Sequence, residues 1–401
     1  MTRVALIADS HFDQSSRLEE CVQIHNWIAQ DLRERGVDLV LHAGDVFERK
    51  STPLERAQVA DWLRDVAELA PVVMVRGNHD APRDLSIFER LRTRHPIVVE
   101  EAAAVHVVAG VAVACLAWPS RASLAQFLRV DSRALLEEGA AAALEHVLRG
   151  LGLELARHDG PRILLAHAMV RGSRVSTGQP LVGCDFELGL GALELACADV
   201  VCLGHVHMAQ AWEPWEGGTT GGDLGTSVLY PGSPRRTAFG EIEDKGYAVL
   251  EISDDARVEE LLSVRWQRVS TPCAPMLLLE GHVAVGEDGI SLAVDATDDV
   301  APAGAEIRLR YETPADVRGR ARELAEDYRQ SWLAAGAVRV ELEQRVIAKT
   351  RARAPEVGAA ATLADKLQAL WRARADEPDE TYAGELLAGL GELEVEVRDA
   401  A

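Results

Sequence analysis

Short apolar runs alternate with helical periodicity over the first two thirds of the chain. Val4–Ala8 is an apolar run, and Leu18, Val22, His25, Ile28 and Leu32 then recur at the spacing of one helix face. Val37–Ala43 reads as a second strand, and Leu54, Gln58, Trp62, Val66 and Leu69 as a second helix face. Pro71–Arg76 reads as a third strand. A longer helical pattern through Leu135, Leu144, Val147, Leu151 and Leu155 leads to strands at Ile163–Ala166 and Val200–Leu203. Strand, helix, strand at this spacing predicts stacked βα units, an α/β fold whose sheets are covered by helices.

The pattern changes after about Val264. Ile307–Tyr311 predicts a strand, Pro314–Ala334 a helix and Ala337–Leu342 a strand, which together make one small α/β unit. Ala352–Ala361 is rich in Ala, Pro and Gly with little periodicity and reads as a linker. Beyond it, Thr362 is placed to cap a helix that carries Leu363, Leu367, Leu370 and Trp371 on one stripe. Thr381 is placed to cap another, with Leu386, Leu387 and Leu390. Two short amphipathic helices have little core of their own, so a partner surface is expected to bury them. The expected domains are 1–263, 264–350, a linker at 351–361, and a helical segment with an acidic tail at 362–401.

The 401 residues are 48% hydrophobic and 26% charged, which suits a globular chain of two or three domains. The formal charge of -22 argues against wholesale polyanion binding, so a nucleic-acid contact would be local or shared with a partner. The six cysteines form no Cys-x-x-Cys pair and several sit in apolar runs, as buried thiols of a reducing compartment do. The Ala102–Ser120 stretch has no Asp, Glu, Lys or Arg, but His106 and Ala109-Gly110 break it. Two strands around a turn, Val105–Val108 and Val111–Ala117, fit it better than a membrane span. A cytoplasmic protein without membrane association is expected. Thr219–Gly225 is Gly-rich, yet no Gly-Lys-Ser/Thr occurs in the chain, so ATP hydrolysis by the phosphate-loop route is excluded.

Five polar clusters follow the apolar strands directly: Asp9-Ser10-His11, Gly44-Asp45, Gly77-Asn78-His79-Asp80, His167, and Gly204-His205-Val206-His207. Open α/β sheets place their sites at these strand ends. Asp, Asn and His offer hard oxygen and imidazole nitrogen, a donor set that suits Mn, Mg, Zn or Fe. No cysteine belongs to the set, which argues against a structural zinc. Some seven donors exceed the needs of one ion and match two ions that share a bridging carboxylate.

The ordered set resembles the signature of the calcineurin-like metallophosphoesterases over residues 1–250. Within that family, Tyr230-Pro-Gly-Ser-Pro-Arg235-Arg-Thr-Ala-Phe-Gly-Glu241, followed by Lys245-Gly246-Tyr247, is similar to a segment of the SbcD-type nuclease subunits. The resemblance implies two packed sheets flanked by helices, a small α/β capping domain and C-terminal helices. It also implies that Asp9, His11 and His207 hold one divalent ion, Asn78, His167 and His205 a second, and that Asp45 bridges them. Mn²⁺ is favoured, with Mg²⁺ as the other candidate. His79 would donate a proton to the leaving oxygen. The family usually has Asp where this chain has Glu48, and that side chain orients the histidine; Glu48 or Asp80 would do so here. Arg49, Lys50, Arg171, Arg174, Arg235 and Arg236 are candidate DNA contacts. Leu363, Leu367, Leu370 and Trp371 would dock on an SbcC-like coiled-coil ATPase, and the nuclease domain would form a homodimer. The implied activity is 3′→5′ exonuclease on duplex ends and endonuclease on single strands and hairpins. The alternative is a phosphatase or small-molecule phosphodiesterase with the same two-metal chemistry. A non-catalytic scaffold is disfavoured because all seven ligand positions and His79 are filled.

Overall fold

The computed structural model describes residues 1–119, 124–125, 129, 133–176, 187–213, 226–253, 261–286, 289–295, 302–347, 357, 360, 362–374 and 379–399. The chain divides into two units. One holds Met1–Leu279, Ala296–Leu309 and Arg329–Glu341; the other holds Glu280–Asp295, Arg310–Tyr328 and Leu342–Ala401.

The first unit is built on two six-stranded sheets. The first sheet runs in the order Val264–Ser270, Gly246–Ile252, Thr2–Ile7, Leu39–His42, Val72–Val75, Ile97–Glu100. Its last four strands are parallel. The second runs Gln210–Trp212, Ser227–Tyr230, Val200–Gly204, Arg162–His167, Val111–Leu116, Ala103–Val108. Strand Val200–Gly204 lies parallel to Arg162–His167, and Val111–Leu116 pairs antiparallel with Ala103–Val108. The low-charge stretch is therefore a hairpin within the second sheet. Val264–Ser270 lies past the expected boundary at 263, yet it pairs with Gly246–Ile252 and extends the first sheet.

The parallel strands are apolar on both faces because both faces are covered. Val4, Leu6, Leu39 and Leu41 meet Val113, Ile163, Val200 and Cys202 in the core between the two sheets. Helices Leu18–Arg35 and Pro53–Ala67 cover the outer face of the first sheet, and Arg133–Leu155 that of the second. Pro53–Ala67 starts where Thr52 and Glu55 form a reciprocal capping box with Pro53 as the first helical residue. Leu18–Arg35 ends at Gly36, whose N–H donates to the Leu32 carbonyl from a left-handed conformation.

A four-stranded sheet has the order Gly289–Val294, Met276–Gly286, Glu306–Pro314, Arg339–Ile347. The expected helix at Pro314 begins at Arg318, because the strand continues to Pro314 and a single turn intervenes. In the second unit Thr362 caps helix Leu363–Arg374 by accepting from Asp365 N at 3.0 Å. The next helix, Glu380–Asp399, is capped by Asp379 rather than Thr381: its carboxylate accepts the N–H groups of Thr381 and Tyr382, both at 3.1 Å. Leu363 is 53% exposed and Tyr382 54%. The glycine-rich segment 219–225 lies outside the described residues, as does the linker at 351–361 apart from 357 and 360. Among the described residues no helix is long and apolar enough to cross a membrane.

Candidate metal centre

Five neighbouring strand ends deliver the donors to one place. Thr2–Ile7, Leu39–His42 and Val72–Val75 are adjacent in the first sheet and carry Asp9/His11, Asp45 and Asn78/His79. Arg162–His167 and Val200–Gly204 are adjacent in the second and carry His167 and His205/His207. The loops are stitched together by backbone bonds: Asp9 N to Gly44 O at 3.0 Å, His11 N to Asp45 O at 3.1 Å, Phe12 N to Val46 O at 2.8 Å. Asp9, His11, Asp45 and His205 all have positive φ, at 53°, 48°, 52° and 108°. Non-glycine residues hold that conformation only where the surroundings over-determine it.

Close approach is built in by glycine. A Cβ on Gly77 would lie 2.1 Å from Asp45 Oδ1, and one on Gly44 2.5 Å from His167 Nδ1. Asp80 is buried behind the site and accepts the N–H groups of Phe47 and Gly77, both at 2.9 Å, which ties the second cluster to the third. Burial, then the nearby Asp45 charge, pushes its carboxyl up to about 6.

Two groups gather the expected donors, Asp9 with His11 and His207, and Asp45 with His167 and His205, and a third sets His11 beside Glu48 and His79. His11 Nε2 and His207 Nε2 face each other at 3.1 Å. Their other nitrogens face carboxylates: His11 Nδ1 lies 2.8 Å from Glu48 Oε2, and His207 Nδ1 3.1 Å from Glu241 Oε1. A proton on His207 Nδ1 leaves its Nε2 lone pair facing His11 Nε2, while the His11–Glu48 approach is an ionic contact without hydrogen-bond geometry. Asp9 Oδ1 accepts from His205 N at 2.9 Å, while Asp9 Oδ2 is buried with no hydrogen-bond partner among the described residues.

The second group repeats the pattern. His167 Nδ1 donates to Ala43 O at 2.7 Å, which aims Nε2 at Asn78 Oδ1, 2.8 Å away, and at Asp45 Oδ2, 3.3 Å away. His205 Nδ1 lies 3.0 Å from the same Asn78 oxygen. Trp118 stacks on the His205 ring at 4.9 Å. Asp45 Oδ2 is also 3.9 Å from His11 Nε2, so one carboxylate oxygen lies between the two groups. Burial opposes ionisation of Asp45, but His167 first and then His11 and His79 hold it well below the usual carboxylate range. Burial alone would push His167 down; the Asp45 carboxylate lifts it to about 9. An orphaned buried carboxylate oxygen, converging imidazole nitrogens and an amide oxygen facing two imidazoles fit divalent cations.

The side chains around the donors are only partly those expected. His79 N donates to Asp45 Oδ1 at 2.8 Å, and His79 Nδ1 donates to the backbone carbonyl of Glu48 at 2.8 Å. The Glu48 carboxylate is farther from His79 Nδ1, at 3.6 Å, than from His11 Nδ1. The longer side chain thus lies beside His11, and His79 Nδ1 is taken up by main chain. Asp80 contacts backbone amides and does not reach His79. Glu241 was visible only as the end of a motif. It holds His207, is gripped by Thr237 at 3.0 Å, and pairs with the buried Lys245 at 2.9 Å. These partners hold its carboxyl down at about 2 against the burial that would raise it.

Two of the expected DNA contacts turn inward. Arg235 is 2% exposed and bonds the carbonyls of Ser10 and His11. Arg236 spends its guanidinium on the carbonyls of Glu241, Glu243 and Ala274. Arg49, Lys50, Arg171 and Arg174 are exposed; Arg49 reaches Asp13 at 2.7 Å and Arg171 lies 3.7 Å from Glu187. The donors open onto a cleft of about 380 Å³ whose lining includes Asp13, Asn78, His79, Arg49 and Thr237.

Residues 2–209 match the family model described as calcineurin-like phosphoesterase. The SbcD subunit of the SbcCD nuclease of Bacillus subtilis is 27% identical over 294 residues, covering 67% of this chain and 69% of that protein. "DNA double-strand break repair protein Mre11" of Haloferax volcanii is 25% identical over 311 residues, covering 72% and 56%. The protein of the same name from Halobacterium salinarum is 24% identical over 285 residues, covering 66% and 59%. The chain therefore spans less than two thirds of either archaeal relative.

Proposed function

The chain belongs to the calcineurin-like phosphoesterase family, and from that premise we propose that it is a two-metal DNA phosphodiesterase working as the nuclease subunit of an ATPase–nuclease complex. The observation that carries this reading is Asp45 Oδ2 lying 3.3 Å from His167 Nε2 and 3.9 Å from His11 Nε2, between two groups of metal donors. Asp9, His11 and His207 would hold one ion, Asn78, His167 and His205 the other, with Asp45 shared. The chemistry supplied by divalent ions at such a centre is activation of water and neutralisation of charge on the phosphoryl oxygens. His79 lines the cleft. Its Nδ1–H is committed to the Glu48 carbonyl, so a doubly protonated ring would pass its Nε2 proton to the leaving oxygen and revert to the neutral Nδ1–H form. Glu241 fixes the His207 tautomer through its contact with Nδ1, which keeps that Nε2 as a ligand, while the Glu48 carboxylate sits beside His11 Nδ1 as an ionic neighbour.

DNA as substrate is supported by the names of the relatives and by the exposed bases Arg49, Lys50, Arg171 and Arg174. An SbcC-like coiled-coil ATPase is supported by the apolar stripe Leu363, Leu367, Leu370 and Trp371, and a homodimer of the nuclease subunit by the family resemblance alone. With a chain charge of -22, the partner supplies much of the positive surface, and DNA binding by the complex weakens steeply with salt. The test is cleavage of a labelled hairpin and a blunt duplex, by the chain alone and with its ATPase and ATP, in Mn²⁺, Mg²⁺ or EDTA. Metal-dependent cleavage that Asp45→Ala abolishes is expected. Hydrolysis of bis-nitrophenyl phosphate with DNA left intact under every condition would move the assignment to a small-molecule phosphodiesterase.

A further inference from the structure

Beneath the centre lies a buried polar network that none of the proposed chemistry uses. Ser10 sits between Asp9 and His11, two left-handed residues, and is itself fully buried. Its hydroxyl is 2.8 Å from His25 Nε2 and 2.8 Å from His42 Nε2, both on fully buried imidazoles. The surroundings fix every proton. His25 Nδ1 faces the Cys21 carbonyl at 2.7 Å and must donate, which leaves Nε2 an acceptor. His42 Nδ1 accepts from Gly44 N at 3.3 Å, which leaves Nε2 a donor. The chain of donation therefore runs from His42 Nε2–H to Ser10 Oγ, from Ser10 O–H to His25 Nε2, and from His25 Nδ1–H to Cys21 O. Each group is satisfied, and the direction is unique.

The same residue is gripped through its carbonyl by Arg235 Nε at 3.4 Å and Cys21 Sγ at 3.5 Å. Arg235 also holds the His11 carbonyl. His25 rests edge-on against Trp62 of helix Pro53–Ala67 at 4.9 Å and tilts against Phe12 at 4.5 Å. Its neighbours on its own helix are apolar, and an aliphatic residue there would fill the space without the cost of burying an imidazole. His42 ends the strand that leads to Gly44 and Asp45. One hydroxyl thus joins the loop carrying Asp9 and His11 to the strand that leads to Asp45.

We propose that Ser10, His25 and His42 are positioning residues of the metal centre: their directed hydrogen bonds hold Asp9 and His11 in the strained conformation that points both at one ion. The inference rests on the ligand reading given above. It is tested by Mn²⁺ titration calorimetry on the full chain, with Ser10→Ala and His42→Leu compared with Val113→Ala, a truncation of a buried core residue in the second sheet that serves as a control for general destabilisation. The Ser10 and His42 variants are expected to bind Mn²⁺ at least ~10-fold more weakly and to regain activity as Mn²⁺ is raised. Val113→Ala should lower Tm while binding Mn²⁺ as the unsubstituted chain does. Either of the two variants that folds suffices for the test. Undiminished Mn²⁺ affinity in a folded variant overturns the inference and leaves the ligand reading standing. An unsubstituted chain that binds no Mn²⁺ overturns the ligand reading, and this inference with it.

Discussion

The two donor groups are held by different means. Asp9, His11 and His207 depend on side chains: Glu48 behind His11, Glu241 with its Lys245 partner behind His207, and the Ser10 network with Arg235 under the loop. Asn78, His167 and His205 depend on main chain and packing: the Ala43 carbonyl behind His167, the ring of Trp118 on His205, and glycine at the points of closest backbone approach. Asp45 belongs to both. A polar partner tunes the basicity and tautomer of a ligand, whereas a packed backbone fixes its position. On the proposed ligand assignment, the first metal position would be adjustable by single side-chain changes that leave the second intact, and the second would respond mainly to changes in volume.

The largest effect that probes this contrast is expected at Gly77. A methyl group in Gly77→Ala would lie 2.3 Å from Asp45 N and 2.1 Å from its Oδ1, so the shared carboxylate must move. Misplacement by about 1 Å costs on the order of 100-fold, so kcat/KM on a hairpin should fall at least that far with circular dichroism unchanged. Glu241→Gln comes next. It removes the charge behind His207, leaves Lys245 with Glu243 at 2.7 Å, and should weaken one Mn²⁺ step by about 10- to 100-fold without moving the other. Equal weakening of both steps would dissolve the distinction. Trp118→Leu removes the stacking on His205 and the edge contact with His167 at 5.7 Å, each worth about 0.5–1.5 kcal/mol, and should shift the other step by a few-fold.

The remaining effect is one of stability and leaves the contrast between the two groups untouched. Burial pushes His25 down to about 4 and His42 to about 3 from the usual 6.5. Between pH 6.5 and about 4 the unfolded chain takes up protons that the folded chain refuses, so stability falls as pH falls through that window and is unaffected above it. Each imidazole contributes at most about 1.4 kcal/mol per pH unit. Chemical denaturation across the window, with His25→Leu and His42→Leu, should show a shallower slope in each variant.

The strand ends and their donors were legible because each cluster is local: an apolar run followed at once by Asp, Asn or His. Which donors meet was legible only through their order. His207 and Glu241 are 34 residues apart, and nothing local says that one holds the other. His25 read as a member of an apolar stripe, and its chemical type at a core position was the only sign of the network beneath the site. Arg235 and Arg236 read as surface bases, since residue type alone does not say which way a guanidinium faces. The strands Met276–Gly286 and Gly289–Val294 are half exposed, so they lack the continuous apolar run that marked the buried strands. The cap at Asp379 rather than Thr381 reflects two competent residues within two positions of one helix start.

The most direct test of the account is the stoichiometry of Mn²⁺ binding by the full chain, read by calorimetry beside Asp45→Ala. Two ions per chain are predicted, with Asp45→Ala losing tight binding at both positions and activity falling by about 10³-fold or more. A single ion, or two bound with unchanged affinity after Asp45→Ala, would contradict a paired centre built around that carboxylate.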